Sequence, residues 1–144
     1  MKKVTHIIIH CSYSHWGCRN EIEKWHLERG FKEIGYNFVI LNGRYDHDDY
    51  IPSLDGAIEV GRDIDVVGAH ALGYNGISIG ICLIGKDGQF TSRQMIALMA
   101  LVRDLMSIYV IPKSNVIGHN ETPHAIEIGK TCPQFEVKTL RKSL

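Results

Sequence analysis

Two histidines and one cysteine, far apart along the chain, are of the residue types that hold a catalytic zinc ion. His10 ends one apolar run, His119 follows another, and Cys132 lies near the end of the sequence. Two imidazoles and one thiolate leave a tetrahedral zinc with one open position, which separates a hydrolytic site from a closed structural one. If these side chains meet, the chain is an enzyme that activates water.

Each of the three residues has a more ordinary interpretation when taken alone. A histidine at a strand end is more often a hydrogen-bonded core or rim residue than a ligand, and Cys132 could be a simple buried thiol. Their joint position favours a site, because α/β folds collect functional groups at strand ends and in the loops that follow. Lys130, two residues before Cys132, adds a cation beside a thiolate that a metal would keep deprotonated.

The elements that must position these groups follow from apolar runs and turn signals. Strands are predicted over residues 6–10, 36–41, 57–61, 78–84 and 115–118. Residues 44–56 are predicted to form an inserted loop or a short hairpin extension. The fold class is therefore α/β: a single domain over residues 1–144, with a central mixed β-sheet of about five strands flanked by helices.

Capping patterns locate the helices. Asn20 with Glu23 is predicted to cap the first helix, which Gly30 closes at C′. Thr91 with Gln94 caps the longest helix, over residues 92–109, and residues 134–142 form a last short helix. The aromatic residues Trp25 and Phe31 are expected to be buried in the core, since amphipathic helices usually bury their aromatics.

Composition excludes several classes of partner. The chain has 144 residues and a formal net charge of zero, so no basic surplus is present to neutralise a nucleic-acid backbone. No apolar run reaches the length of a membrane span, and we expect no membrane association. The first residues lack the pattern of a signal peptide, so we expect a protein that is cytoplasmic as synthesised. We also expect the protein to be a monomer.

The four cysteines are expected to be free thiols or metal ligands rather than disulfides, since no export signal is present. Cys82 lies in an apolar run and is predicted to be a small core residue. Cys11 and Cys18 remain an alternative pair in an oxidising setting.

A series of short motifs occurs in order over nearly the whole chain. They are H-C-S (10–12), W-H-x-x-x-G-F (25–31), G-Y (35–36), E-V-G-R (59–62), V-G-A-H-A-x-G-Y-N (67–75), S-I-G-I-C-L-I-G (78–85), G-H-N (118–120) and G-K-T-C-P (129–133). In these motifs the chain resembles the type 2 zinc amidases, which cut N-acetylmuramoyl-L-alanine bonds in peptidoglycan. That family shares its fold with animal peptidoglycan recognition proteins, and the chain is most similar to its small phage lysozymes.

The resemblance implies the roles of individual residues. His10, His119 and Cys132 would be ligands of one Zn²⁺ ion per chain. Tyr36 and Lys130 would lie beside the scissile amide as catalytic groups. The implied substrate is peptidoglycan or a muropeptide at the cell wall, which the enzyme could reach after release by a membrane-disrupting partner.

Other assignments remain open at this stage. His70 would line the substrate groove by the same resemblance, and the alternative is a rim histidine that holds a loop. His124 could compete as a ligand. The leaving amine could gain its proton from Tyr36 through water or from Glu121.

The chain departs from the family pattern in three places. Asn37 stands where many relatives have a histidine after G-Y, the loop between His119 and Lys130 is longer than in the phage enzymes, and residues 44–56 are inserted. No proposed ligand is lost, and the two length changes could reshape the groove.

Two other functions compete with the hydrolase. A non-catalytic peptidoglycan-binding module on the same fold typically lacks the cysteine ligand, whereas Cys132 is present here. A small structural zinc protein would need four protein ligands and a closed site, and only three convincing ones are found.

Overall fold

The computed structural model describes residues 2–144 as a five-stranded mixed sheet with helices on both faces, which confirms the predicted fold class. The strands are β1 (His6–Cys11), β2 (Phe38–Asn42), β3 (Asp55–Val60), β4 (Ser78–Leu83) and β5 (Val116–Gly118). The helices are α1 (Arg19–Glu28), α2 (Ser92–Tyr109), α3 (Pro123–Ile128) and α4 (Val137–Lys142). Short 3₁₀ turns cover Pro52–Leu54, Lys113–Asn115 and His119–Glu121.

Strand order places two of the proposed ligands side by side. The order across the sheet is β3-β2-β4-β1-β5, and β1 runs parallel to both of its neighbours, β4 and β5. Ile9 of β1 is paired with Gly118 of β5. The residues that follow, His10 and His119, therefore leave adjacent strands at the same carboxyl edge, where α/β folds place their ligands.

Alternation along β1 separates the two faces of the sheet. Ile7 and Ile9, both fully buried, pack into the larger core cluster together with Leu98 of α2 and Leu140 of α4. His10 is paired with Cys82, and Cys82 packs on the opposite face against α1. The imidazole of His10 therefore leaves the sheet on the α1 side.

The longest helix has the predicted bounds and the predicted capping box. The Thr91 hydroxyl accepts the N–H of Gln94, and the Gln94 side chain accepts the N–H of Thr91. An apolar stripe on this helix faces the core, and its residues Leu98, Val102 and Leu105 are buried. The remaining stripe residues are half-buried against the same core: Met95, Met99, Met106 and Tyr109.

The first helix starts differently from the prediction. Its N-cap is Cys18, without a side-chain hydrogen bond, and Asn20 lies within the first turn. Glu59 replaces the predicted cap, because its Oε1 accepts the N–H of Arg19 at 2.8 Å. The predicted Asn20 cap is therefore wrong, whereas Gly30 does follow the helix with a positive φ of 90°.

Other elements also differ from the prediction: β3 begins at Asp55, inside the predicted 44–56 insertion, and α4 begins at Val137 rather than at residue 134. Strand β2 begins at Phe38 rather than at residue 36. The stretch predicted as a loop between His119 and Lys130 contains helix α3, whose N-cap Thr122 accepts the N–H of Ala125. Pro123 at the first helical position and Gly129 in the left-handed conformation at its end are signals that the sequence already carried.

The four cysteines are all free and buried. The predicted core position of Cys82 is confirmed, with an exposed fraction of 0%. Within the described residues, no helix is long and apolar enough to cross a membrane.

We predict that Gln94→Met weakens the fold. Gln94 is fully buried and its Nε2 donates to the carbonyl oxygens of Ile40 at 3.0 Å and Ile84 at 2.8 Å. Methionine preserves the volume but removes both of these hydrogen bonds and the acceptor of the Thr91 N–H. The Ile40 carbonyl keeps the N–H of Ile84 as a partner, whereas the Ile84 carbonyl loses the Gln94 donor. The free energy of unfolding should therefore fall by about 2–4 kcal/mol in urea titrations. The control Ser107→Met, at an exposed site on α2, should change it by less than about 0.5 kcal/mol. Equal stability of Gln94→Met and wild type would contradict the prediction.

We also predict a pH dependence that originates at His26. This ring is 5% exposed and its Nδ1 accepts the N–H of Gly35 at 2.9 Å. Burial, with smaller effects from the charges of Arg29 and Arg62, lowers the pKa of His26 to about 4 from 6.5. The folded state therefore favours the neutral ring, so stability is complete above pH 6.5 and falls as the pH drops toward 4.

His26→Asn tests this directly, since its amide oxygen can accept the same N–H without titrating in this range. The urea midpoint of the metal-free variant should fall less between pH 7 and pH 4.5 than that of wild type. Identical slopes would show that His26 is not responsible.

Candidate metal centre and active-site cavity

The structure brings the three predicted metal ligands together. One ligand atom each from His10, His119 and Cys132 lies within 4.8 Å of the other two. Tetrahedral zinc, with bonds of about 2.0–2.3 Å, holds its ligand atoms roughly 3.3–3.8 Å apart, so small side-chain rotations complete the site. The donor set contains two imidazoles and a thiol and no carboxylate, which suits zinc.

The Cys132 segment is held against the two strand ends by backbone hydrogen bonds. The N–H of Asn120 donates to the carbonyl oxygen of Cys132 at 2.7 Å. The N–H of Cys11, which follows His10, donates to Cys132 Sγ at 2.9 Å. A Cβ at Gly118 would lie 2.6 Å from Asn120 Oδ1 and 3.0 Å from Pro133 Cδ, so only glycine allows this close approach.

Burial keeps the two proposed histidine ligands neutral, as metal binding requires. It holds the pKa of His10 well below 6.5, and the neighbouring His70 and His119 lower it further. Burial also lowers the pKa of His119, followed by the charge of Lys130. The charge of Lys130 therefore helps to keep the His119 ring neutral.

The thiol behaves differently from the histidines. Cys132 is 2% exposed, and burial raises the pKa of its thiol far above the ordinary value. Without a cation the thiol keeps its proton, so an incoming metal ion must displace it. The sequence predicted that the charge of Lys130 would favour the thiolate form of Cys132. In the structure, burial of the thiol outweighs that effect and favours the protonated form.

A cavity of ≈ 260 Å³ opens over the three ligands. Its lining includes all six residues predicted from the sequence: His10, Tyr36, His70, His119, Lys130 and Cys132. The cavity is also lined by Trp25, His26, Arg29 and Phe31. The proposed ligands and the proposed catalytic groups therefore face one common space.

Tyr36 lies against the first ligand. Its ring centroid is 4.9 Å from that of His10. Burial, followed by the neighbouring thiols, raises the pKa of Tyr36 well above 10, so its hydroxyl keeps a proton to donate at neutral pH. The backbone around it is fixed because Arg62 N–H donates to the carbonyl oxygen of Tyr36 at 2.9 Å.

Lys130 is presented by the end of α3. Gly129 adopts a left-handed conformation with φ of 73°, and the N–H of Lys130 then donates to the carbonyl oxygen of Ala125 at 2.9 Å. The Lys130 residue is exposed and lines the cavity. Helix α3, which the sequence prediction missed, thus positions the cation at the site.

His70 lines the cavity as predicted, but its ring nitrogens already have protein partners. Nδ1 lies 2.9 Å from His10 Nε2 and Nε2 lies 3.2 Å from Ser78 Oγ. Burial lowers the pKa of His70 to about 3, so the ring is neutral. The predicted substrate contact stays a prediction, and it would have to use the carbon face or edge of the ring.

The structure also separates the alternatives that the sequence left open. Among residues 2–144, the cluster of potential metal-ligand atoms contains His10, His119 and Cys132, and His124 lies outside it. Glu121 is engaged elsewhere, since it forms a two-point ion pair with Arg141 at 3.0 and 3.1 Å and accepts the N–H of Gly118.

The departures from the family pattern lie at the edge of the site or away from it. Asn37 is fully buried, where its side chain accepts the N–H of Gly80 and donates to the carbonyl oxygen of Arg62. Its role is therefore to hold backbone segments together. In the described part of the chain, no residue of the inserted segment 44–56 lines the cavity.

The aromatic and cationic wall of the cavity was not predicted from the sequence. Trp25 and Phe31, expected in the core, are half-buried and face the cavity as well. The Arg29 guanidinium carbon lies 5.2 Å from the centroid of the Phe31 ring. The W-H-x-x-x-G-F motif was the available signal, but helical periodicity alone does not distinguish a core face from a cavity wall.

Comparison with known proteins agrees with this geometry. Residues 1–135 match the family model described as N-acetylmuramoyl-L-alanine amidase. An endolysin of Escherichia phage T7 is 36% identical over 143 residues, which cover 92% of this chain and 82% of that protein. An endolysin of Enterobacteria phage K11 is 32% identical over 148 residues, or 95% of this chain and 85% of that protein.

Solved structures show the same fold. The N-acetylmuramoyl-L-alanine amidase LysC from Clostridium intestinale superposes with a TM-score of 0.81 at 27% identity, covering 99% of this chain and 85% of that one. A mutant of Drosophila PGRP-LB in complex with tracheal cytotoxin gives a TM-score of 0.69 at 27% identity, covering 92% of this chain and 76% of that one. These relatives, together with the cluster of potential metal ligands in the cavity of this chain, support peptidoglycan amidase activity. The chain belongs to the N-acetylmuramoyl-L-alanine amidase family.

Proposed function

We propose that this chain hydrolyses the amide between the lactyl group of N-acetylmuramic acid and L-alanine of the stem peptide, using one zinc ion held by His10, His119 and Cys132. The observation that carries the proposal is the cluster of three ligand atoms within 4.8 Å in a cavity that Tyr36 and Lys130 also line. When bound, zinc supplies a Lewis acid and lowers the pKa of its water from about 15.7 to about 7.

Lys130 is proposed to stabilise negative charge on the amide carbonyl oxygen. Lys130 lines the cavity, and its charge lowers the pKa of His119, one of the proposed ligands. Preorganised cations and donors at a developing oxyanion are usually the largest electrostatic contribution to acyl-transfer catalysis.

Tyr36 is proposed as the hydroxyl donor of the site. Burial keeps its proton in place, and its ring packs against that of His10. It can donate to the carbonyl oxygen or, through water, supply the proton that the leaving amine needs. Glu121 is the weaker candidate for that proton, because its carboxylate is held by Arg141.

The substrate and the place of action follow from the relatives. The PGRP-LB structure contains tracheal cytotoxin, and two phage relatives are endolysins. We take peptidoglycan or a soluble muropeptide as the substrate and the cell wall as the place of action. We take the chain to be a monomer that is cytoplasmic until it is released.

A peptidoglycan-binding module without catalysis is the second candidate, since peptidoglycan-recognition proteins are among the relatives. The sequence and geometry favour catalysis, because the buried Cys132 completes a set of three ligands and leaves one zinc position open.

We predict that Cys132→Ala loses both zinc and amidase activity while the fold survives. Removing one of three ligands leaves too few donors for stable tetrahedral binding. Zinc content of purified protein and mass spectrometry of peptides released from sacculi measure the two losses. The matched control Cys18→Ala removes another buried thiol, at the start of α1, and should retain both. Release of stem peptides by Cys132→Ala would refute the assignment.

Lys130→Ala should keep zinc but turn over more slowly. Loss of one oxyanion-stabilising group typically lowers kcat by about a hundred- to a thousand-fold. The control Lys113→Ala alters an exposed lysine in a 3₁₀ turn before β5 and should leave kcat unchanged. If Lys130→Ala matches wild type on a soluble muropeptide, Lys130 has no part in the mechanism.

A further inference from the structure

A directed series of hydrogen bonds lies behind His10. Ser78 Oγ is 2.7 Å from the carbonyl oxygen of Tyr74 and 3.2 Å from His70 Nε2. A carbonyl oxygen only accepts, so the single hydroxyl hydrogen of Ser78 goes to Tyr74, at a distance ordinary for O–H···O. Ser78 must then accept from the ring, which places the hydrogen of His70 on Nε2.

The tautomer of His70 determines that of His10. In a neutral imidazole with its hydrogen on Nε2, Nδ1 is an acceptor. This Nδ1 of His70 lies 2.9 Å from His10 Nε2, so His10 donates an Nε2–H. The lone pair of His10 is therefore on Nδ1, which is the nitrogen left for a metal ion.

The surroundings of His70 are shaped to hold its ring in this position. A Cβ at Gly80 would lie 2.7 Å from His70 Cγ, and one at Gly68 would lie 2.8 Å from His70 Cδ2. Both positions need glycine because the ring occupies the space. Asn75 Oδ1 accepts the backbone N–H groups of His70 at 2.8 Å and Ala71 at 2.9 Å, which fixes the loop that carries the ring.

We propose that His70, oriented by Ser78, is a positioning residue that presets His10 as a metal ligand through Nδ1 before the metal arrives. The inference rests on the proposed metal site, and it gives His70 a role different from the predicted substrate contact. A partner on the second ring nitrogen fixes the tautomer and orientation of a histidine ligand, and losing it typically weakens metal affinity by about 10–100-fold.

The direct test is the tautomer in the metal-free wild-type protein. Correlations between ring ¹⁵N nuclei and carbon-bound protons distinguish a protonated from an unprotonated nitrogen. We expect both His10 and His70 to carry hydrogen on Nε2 at pH 7. A His10 ring with its hydrogen on Nδ1, or in exchange between tautomers, would overturn the inference, and this measurement needs no variant.

Variants extend the test to metal affinity. His70→Leu removes the partner of His10, so zinc should bind about 10–100-fold more weakly in competition with a chromophoric chelator. Ser78→Ala removes the acceptor of His70 Nε2–H and should weaken zinc binding in the same direction by a smaller factor. Ser78→Thr keeps the hydroxyl and should restore the affinity. His70→Gln offers an amide oxygen to His10 and should bind more tightly than His70→Leu. The exposed Ser107→Ala should bind like wild type.

These outcomes separate the inference from the proposed function. If Ser78→Ala and His70→Leu bind zinc as tightly as wild type, the positioning role is wrong and the amidase mechanism stands. If wild type holds no zinc at the three ligands, the proposed function fails, whereas the tautomers of the metal-free protein still report on the hydrogen bonds.

Discussion

The parallel pairing of β1 with β5 is the constraint on which the rest of the site depends. The register of Ile9 with Gly118 makes His10 and His119 leave adjacent strands at one edge, so two proposed ligands far apart in sequence become neighbours. That register is stabilised by burial of Ile7 and Ile9, both fully shielded from water. A shift of one residue would send His10 into the apolar core, so the packing of the sheet itself enforces the position of the ligand.

Desolvation then gives the site its chemical character. The same burial that keeps the His10 ring neutral raises the pKa of Cys132 and keeps the Tyr36 hydroxyl protonated. The metal-free site thus holds two uncharged imidazoles, a thiol and a phenol beside one exposed ammonium group. A divalent cation that displaces the thiol proton converts this uncharged cluster into a charged centre. The proposed donors, Tyr36 and Lys130, line the same cavity as this cluster.

Much of this architecture could be predicted from local sequence. The isoleucine run of β1 and the capping box of α2 are short-range signals, and both are confirmed. The predicted N-cap of α1 was wrong. The side chain of Glu59, forty positions along the chain from Arg19, accepts the N–H of Arg19 in place of a cap by Asn20. Helix α3 was missed although Thr122, Pro123 and Gly129 signal its ends. The partners of His70 could not be predicted, because Gly68, Gly80 and Ser78 surround its ring only after the sheet has formed.

We propose that zinc in this protein is coordinated by two histidine nitrogens and one cysteine sulfur, with one position open. X-ray absorption at the zinc edge of the loaded protein measures this coordination shell. We expect one sulfur at about 2.3 Å, two nitrogens at about 2.0–2.1 Å and one oxygen from water. A shell without sulfur, or a fourth ligand from the protein that closes the open position, would contradict it.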